Sequence, residues 1–139
     1  MKVSIINGPN LNLLGKRQPE IYGGQSFDDY FQDLKNHFSH LDISYFQSNI
    51  EGELINAVHE AGHKSDGIIF NPAAFTHTSL ALGDAVKGID CPLIEVHISN
   101  IYQREDFRHF SYISSGAKAV ISGLGLAGYE MALRYLDQA

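Results

Sequence analysis

The sequence predicts an α/β fold: a three-layer sandwich in which a five-stranded parallel sheet is covered by helices on both faces. Three observations lead there. Short, β-rich apolar runs recur along the chain, and stretches with helical spacing separate them. Three of the runs, Val3-Ser4-Ile5-Ile6, Ile68-Ile69-Phe70 and Leu93-Ile94-Glu95-Val96, are almost continuously apolar rather than alternating. Strands buried on both faces read that way, whereas a strand with one wet face alternates. The β-α-β order then implies right-handed crossovers between parallel neighbours.

The first strand is expected over residues 3–6. A helix follows a long loop: Phe27, Tyr30, Phe31, Leu34 and Phe38 fall at i, i+3, i+4, i+7 and i+11, one apolar stripe. Ser26 is placed to cap it, with Asp28 and Asp29 in the first turn, where the helix dipole favours acids. The second strand is expected over 43–46. Leu54, Ile55, Val58 and Ala61 repeat the helical pattern, and Gly62 reads as its terminator. Residues 67–70 read as a third strand, 78–86 as a third helix and 92–96 as a fourth strand. A loop then leads to a short strand over 119–121. The last helix, over 126–136, offers Met131, Leu133, Tyr135 and Leu136 for docking. No internal repeat, low-complexity tract or linker interrupts the pattern, so one domain is expected over residues 1–139.

A chain of 139 residues, 44% apolar, is long enough for one compact domain and too apolar for a disordered protein. The net charge of −6 argues against nucleic-acid binding, which needs clustered Lys and Arg. It leaves room for a small anionic substrate, because a local pair of arginines reverses the sign inside one cleft. Cys91 stands alone and has no disulfide partner within the chain, which fits a reducing cytoplasm. Met1 and Lys2 run straight into the first strand without a secretory leader. No apolar run approaches the ~20 residues of a membrane helix. A soluble cytoplasmic protein with no membrane or nucleic-acid partner is expected.

In open parallel sheets, ligands bind beyond the carboxyl ends of the strands. Three of those ends lead into segments rich in polar groups. The segment from Asn7 to Gly24 makes a loop much longer than usual, and such loops are commonly functional lids. Leu11, Leu13, Leu14 and Ile21 argue against disorder there, and Gly15, Gly23 and Gly24 offer hinges. As an ordinary surface loop it would leave Arg17 solvated and Tyr22 packed by its ring; the loop alone does not decide between the readings.

The second segment, Asn71-Pro-Ala-Ala-Phe-Thr-His-Thr-Ser, turns a strand end into a helix. Thr76 or Thr78 is placed to cap that helix, and exposed N–H groups suit an anionic or hydroxylated ligand. Asp84 follows His77 by seven residues and is expected on the same helix face. Capping and solvation account for the threonines and Asp84, but less well for Asn71 and His77 bracketing the turn.

In the third segment, Glu95 and His97 point to the same side of one strand. A carboxylate beside an imidazole fixes its tautomer and favours its charged form, which suits a general acid. A lone charge inside an apolar strand is costly unless paired, which weakens a purely structural explanation. Arg104 and Arg108, four residues apart, meet a substrate from one side or form a solvated helical face.

Two patterns point elsewhere and are set aside. Gly123-Leu-Gly-Leu-Ala-Gly128 matches G-x-G-x-x-G, yet no strand follows to complete a dinucleotide-binding unit. It reads as a tight turn with close helix–sheet packing. Of the seven histidines only His77 and His97 fall at strand ends, while His37, His40, His59 and His63 lie on or near helix surfaces. No protein-bound metal is expected.

Taken together, the segments resemble the type II 3-dehydroquinate dehydratases. The resemblance rests on Asn7-Gly-Pro-Asn-Leu-Asn-Leu-Leu-Gly, Glu20-Ile-Tyr-Gly, Asn71-Pro-Ala-Ala-Phe-Thr-His-Thr-Ser, Glu95-Val-His-Ile-Ser-Asn and Gly123-Leu-Gly, in the family's order and across nearly the whole chain. It implies a flavodoxin-like fold, a dodecamer built from trimers, and cofactor-free conversion of 3-dehydroquinate to 3-dehydroshikimate. By the same resemblance Tyr22 is the base, Arg17 favours its anion and stabilises the transition state, and Asn10 holds a water for the enolate. His97 is the acid that protonates the departing hydroxyl, oriented by Glu95. Asn71, Ile98 and Ser99 resemble the carboxylate-binding set, and His77, Asp84 and Arg108 the contacts to ring hydroxyls, one of them across a subunit boundary. Ala73 stands where many relatives carry Gly, and the residues around Lys87 and Gly88 are less typical.

Two other classes compete. A flavin-binding or signalling module would need a hydroxyl-rich phosphate loop or an acidic cluster at the strand ends, and Asn7, Asn71 and His97 supply neither. A metal-assisted hydratase would lose activity on chelation.

Overall fold

The computed structural model describes residues 1–16, 20 and 24–138. Its sheet contains β1 (Lys2–Asn7), β2 (Asp42–Gln47), β3 (Gly67–Asn71), β4 (Leu93–His97) and β5 (Ala119–Ser122). All neighbours are parallel, in the order β2-β1-β3-β4-β5. That is the flavodoxin-like order, in which the chain steps to one side of β1 and then to the other. The reversal falls between β1 and β3, where Asn7 and Asn71 pair in register. Ligand clefts open at such points because successive connections diverge to opposite faces.

The described residues include four α-helices: α1 (Phe27–His37), α2 (Glu51–Lys64), α3 (Leu80–Lys87) and α4 (Ala127–Gln138). Each strand of the central trio sends alternate side chains to opposite slabs of core. On one face Ile5, Ile69 and Ile94 meet Phe27 and Leu34 of α1 and Leu133 and Leu136 of α4. On the other, Ile6, Ile68 and Phe70 meet Leu54 and Val58 of α2 and Leu82 and Val86 of α3. The continuous apolar runs are therefore buried on both sides, as expected; β3 and β4 are buried at every position. The edge strands are less covered, leaving Phe46 and Val120 exposed.

Element boundaries moved where local signals competed. The cap of α1 is as expected, with Ser26 Oγ accepting from Asp29 N at 3.2 Å. Gly62 does not end α2, which continues to Lys64. The glycine instead admits Ile89: a Cβ there would lie 2.4 Å from Ile89 Cγ2. Helix α3 starts at Leu80, and its cap is Ser79, whose Oγ accepts from Leu82 N at 2.9 Å, not Thr76 or Thr78. Thr76 is fully buried, and its Oγ1 has no hydrogen-bond partner among the described residues. Residues 73–77 form a 3-10 turn before the helix, so His77 and Asp84 do not share a helix face. No helix among the described residues is long and apolar enough to cross a membrane.

Candidate active site

The carboxyl ends of β1, β3 and β4 open into a cleft of about 180 Å³, lined among others by Asn10, Asn71, His77, His97, Ile98, Ser99, Arg104 and Arg108. Drug-sized ligands occupy roughly 300–1,000 Å³, so this space suits a molecule of one small ring. A wider hollow lies between α2 and the open face of β2. It lies away from the carboxyl ends of the strands, and its serines bond to one another (Ser4 to Ser65 at 2.6 Å and to Ser44 at 3.2 Å).

Glu95 is completely buried and His97 nearly so. His97 Nε2 lies 2.5 Å from Glu95 Oε2, the contact that their same-side spacing on a strand makes available. With Nε2 committed, Nδ1 has no partner among the described residues and is the nitrogen left to serve the cleft.

Asn71 is held by a buried polar chain, which fixes its orientation. The backbone N–H of Ala73 donates to Asn71 Oδ1 at 3.1 Å, so the other end of the amide must be Nδ2. Nδ2 donates to the Tyr129 hydroxyl at 3.0 Å, which donates to Asn7 Oδ1 at 2.8 Å. Asn7 Nδ2 in turn reaches the Tyr45 hydroxyl at 3.4 Å. Among the described residues Nδ2 of Asn71 has the Tyr129 hydroxyl as its one acceptor, which leaves one N–H for a ligand oxygen. Asn7, Tyr45 and Tyr129 were not read as site residues from sequence. The apolar register of β1 and the helical spacing of α4 gave no hint that they meet.

His77 Nδ1 donates to the carbonyl of Phe110 at 2.7 Å, and its ring stacks beside that of His97 at 6.4 Å. Burial lowers its pKa, with smaller contributions from His97 and Arg108. A neutral His77 with Nδ1 protonated presents Nε2 as an acceptor. Arg104 and Arg108 reach the cleft not from one helix face but from two short 3-10 turns: Arg104 directly follows the turn at residues 101–103, and Arg108 ends the one at 106–108. Arg104 Nη1 donates to Ser99 Oγ at 3.4 Å, while Arg108 Nε lies 3.3 Å from both oxygens of Glu105. Asp84 is exposed on α3 and does not line this chain's cleft. Asn10 sits at its mouth with a left-handed φ of 71°, tolerable for Asn, and its N–H donates to Asn49 Oδ1 at 2.9 Å. Arg17 and Tyr22 lie outside the described residues.

The profile of the family described as "Dehydroquinase class II" matches residues 1–137. The chain belongs to the class II dehydroquinase family. Among relatives, the 3-dehydroquinate dehydratase of Psychromonas ingrahamii is 52% identical over 136 residues, covering 96% of this chain and 91% of its own length. The "3-dehydroquinate dehydratase 2" of Agrobacterium fabrum is 54% identical over 135 residues, covering 96% of this chain and 92% of its own. The type II dehydroquinase of Propionibacterium acnes superimposes with a TM-score of 0.95 at 40% identity, over 99% of this chain and 97% of that one.

In this class II dehydroquinase the turn after β3 puts Ala73 in an unusual backbone conformation. Ala73 has a φ of 53°, the left-handed region that glycine enters freely. The motif from Gly123 to Gly128 forms the tight turn and close packing expected of it. Gly123 and Gly125 adopt φ of 96° and 62°, and their N–H groups donate to the carbonyls of His97 and Ile98. A Cβ on Gly128 would lie 3.2 Å from Val96 Cγ1, which is the close helix–sheet contact.

Three tyrosines, Tyr129 wholly buried and Tyr30 and Tyr45 half-buried, are poor candidates for a dehydroquinase base. Burial pushes Tyr30 and Tyr45 each up to about 12 and raises Tyr129 further, which favours their neutral hydroxyls. One metal-binding spacing lies away from the strand ends: His59-Glu60-Ala-Gly-His63 matches H-E-x-x-H. On α2 both histidines are exposed and Glu60 pairs with Lys64 at 2.7 Å. Among the described residues no three His, Cys, Asp or Glu side chains are grouped to hold a metal ion.

Proposed function

We propose that this cleft is where the protein, a 3-dehydroquinate dehydratase, eliminates water from 3-dehydroquinate to give 3-dehydroshikimate. The observation that carries the assignment of roles is the buried Glu95–His97 pair, 2.5 Å apart, at the strand end beside Asn71. The reaction is a hydro-lyase step of the shikimate pathway, which leads to chorismate and the aromatic amino acids.

Tyr22, as its anion, takes the proton from the carbon beside the ketone, and the electron pair moves to the carbonyl oxygen as an enolate. A tyrosine with an ordinary pKa near ~10 is a weak base at neutral pH unless a cation favours the anion, which is the role given to Arg17. Asn10 orients a water that donates to the enolate oxygen. Collapse of the enolate forms the double bond and breaks the C–O bond on the opposite face. His97 gives that oxygen its proton, and the hydroxyl leaves as water. Glu95 steadies the imidazolium that this step needs. The spare N–H of Asn71, the backbone N–H groups of Ile98 and Ser99, and the Ser99 hydroxyl receive the substrate carboxylate. His77 Nε2 and Arg108 address the ring hydroxyls.

The reaction so written needs neither metal nor cofactor. Asp84 is assigned to the cleft of a neighbouring copy, within a cytoplasmic dodecamer built from trimers. Its exposure on α3 and the exposed apolar side chains Leu80, Tyr102, Phe107 and Phe110 support that reading.

The test gives purified protein 3-dehydroquinate and follows the conjugated enone absorbance, with and without chelator and borohydride. Turnover indifferent to both is expected. No turnover under any condition would sink the assignment. Loss on chelation would point to a metal, and inactivation by borohydride with substrate to a lysine Schiff base.

A further inference from the structure

One turn that forms no part of the cleft wall holds both cleft histidines. The carbonyl of Phe110 receives His77 Nδ1, and the next residue, Ser111, lies 3.2 Å and 3.1 Å from the two Glu95 oxygens. Ser114 Oγ lies 2.7 Å from Glu95 Oε1. The backbone fixes the sense of these bonds. Ser111 Oγ accepts from the N–H groups of Ile113 at 3.0 Å and Ser114 at 3.1 Å, which uses both lone pairs. Its proton is therefore directed at Glu95. Both carboxylate oxygens receive donors, and Oε2 also faces His97 Nε2. A wholly buried carboxylate is tolerated as an anion only where donors surround it in this way.

The turn is itself well anchored. Ile113 is fully buried in the core, and the N–H of Tyr112 donates to Thr76 O at 2.9 Å. Helix α3 passes so near that a Cβ on Gly83 would lie 2.5 Å from Tyr112 O.

We propose that Ser111 and Ser114 are positioning residues of the elimination, holding Glu95 as an anion aimed at His97 Nε2 so that the imidazole presents Nδ1 to the substrate. The inference rests on the assignment of His97 as the acid. Neither serine touches the cleft; both act through Glu95. The charged and titratable groups around His97 are Glu95 on its own strand, His77 beside it, and Arg104 and Arg108 from the following turns. On the functional reading Arg17 and Tyr22 join them.

Ser114→Ala removes a donor from Oε1 and leaves more negative charge on Oε2, which holds the imidazolium more firmly. The descending limb of kcat against pH should then move upward by roughly 0.5–1 unit, with KM changed by less than about twofold. Ser114→Thr keeps the hydroxyl and should restore the limb. Nitrogen NMR titration of the His97 ring in the same variants reads the same displacement without turnover. It therefore separates failure of this inference from failure of the dehydratase assignment. An Ala variant whose limb and ring titration coincide with the parent overturns the proposal, as does a Thr variant displaced as far as the Ala one.

Discussion

Tyr129, on the last helix, accepts a hydrogen bond from Asn71 Nδ2 at 3.0 Å and so decides which atoms of Asn71 are left for the cleft. The same hydroxyl donates to Asn7, so its loss unpairs a buried donor and a buried acceptor at once. Tyr129→Phe keeps the ring packing and should cost about 1–3 kcal/mol of stability, read from a urea midpoint. Freed from its tether, the Asn71 amide should also bind substrate less well, raising KM more than it lowers kcat. An unchanged KM would show that Asn71 needs no such support.

Ala73 sits at a φ of 53°, which costs an L-residue with a Cβ roughly 1–2 kcal/mol. Glycine removes that strain but loses more entropy on folding, by about 0.5–1 kcal/mol. Ala73→Gly should therefore leave stability unchanged or raise it by up to about 1.5 kcal/mol. A clear fall in the thermal midpoint would refute this account of the turn.

The approach of α3 to Tyr112 predicts opposite outcomes at two helical glycines. Gly83→Ala places a Cβ against a backbone carbonyl at 2.5 Å, which cannot move without shifting the turn that carries Ser111. A loss of about 1–3 kcal/mol is expected. Gly52, on α2, has nothing within 4 Å of its added Cβ, so Gly52→Ala should stabilise by up to about 1 kcal/mol. Denaturant midpoints of the two variants test the pair together.

Burial lowers the pKa of His77, so its neutral form is favoured in the folded state. The unfolded chain then binds the proton more readily, and folding stability falls as pH drops below the ordinary histidine value of about 6.5. Above that value the contribution is fully present; it is lost as pH falls through the lowered folded value. His77→Gln cannot titrate and should flatten this part of the curve when urea midpoints are compared between neutral and mildly acidic pH. An identical acid slope in both proteins would mean that His77 contributes none of it.

Tyr22→Phe and His97→Ala should each abolish turnover while the circular dichroism spectrum stays that of the parent. An active Tyr22→Phe enzyme would remove the base assignment.

Much of this was legible in the amino-acid order alone. Apolar periodicity placed all five strands and the four described helices, because it reports burial within a window of a few residues. Strand parity put Glu95 and His97 on one side, and their 2.5 Å contact needs little beyond that. The strand ends marked where a ligand would sit. What local signals left open was which of several nearby hydroxyls caps a helix: Ser79, not Thr76 or Thr78, has its Oγ against Leu82 N.

Tertiary structure decided the rest. It brought Arg104 and Arg108 to the cleft from separate turns, kept Asp84 away from it, and gave Gly62 to the packing of Ile89 instead of a helix end. It also joined Tyr129 to Asn7 across 122 positions and to Asn71 across 58. Propensity and periodicity act between residues close in sequence, whereas these contacts follow from how helices settle on the twisted sheet. That is why His97 and Glu95 were visible beforehand as a pair, and Tyr129, Ser111 and Ser114 beside them were not.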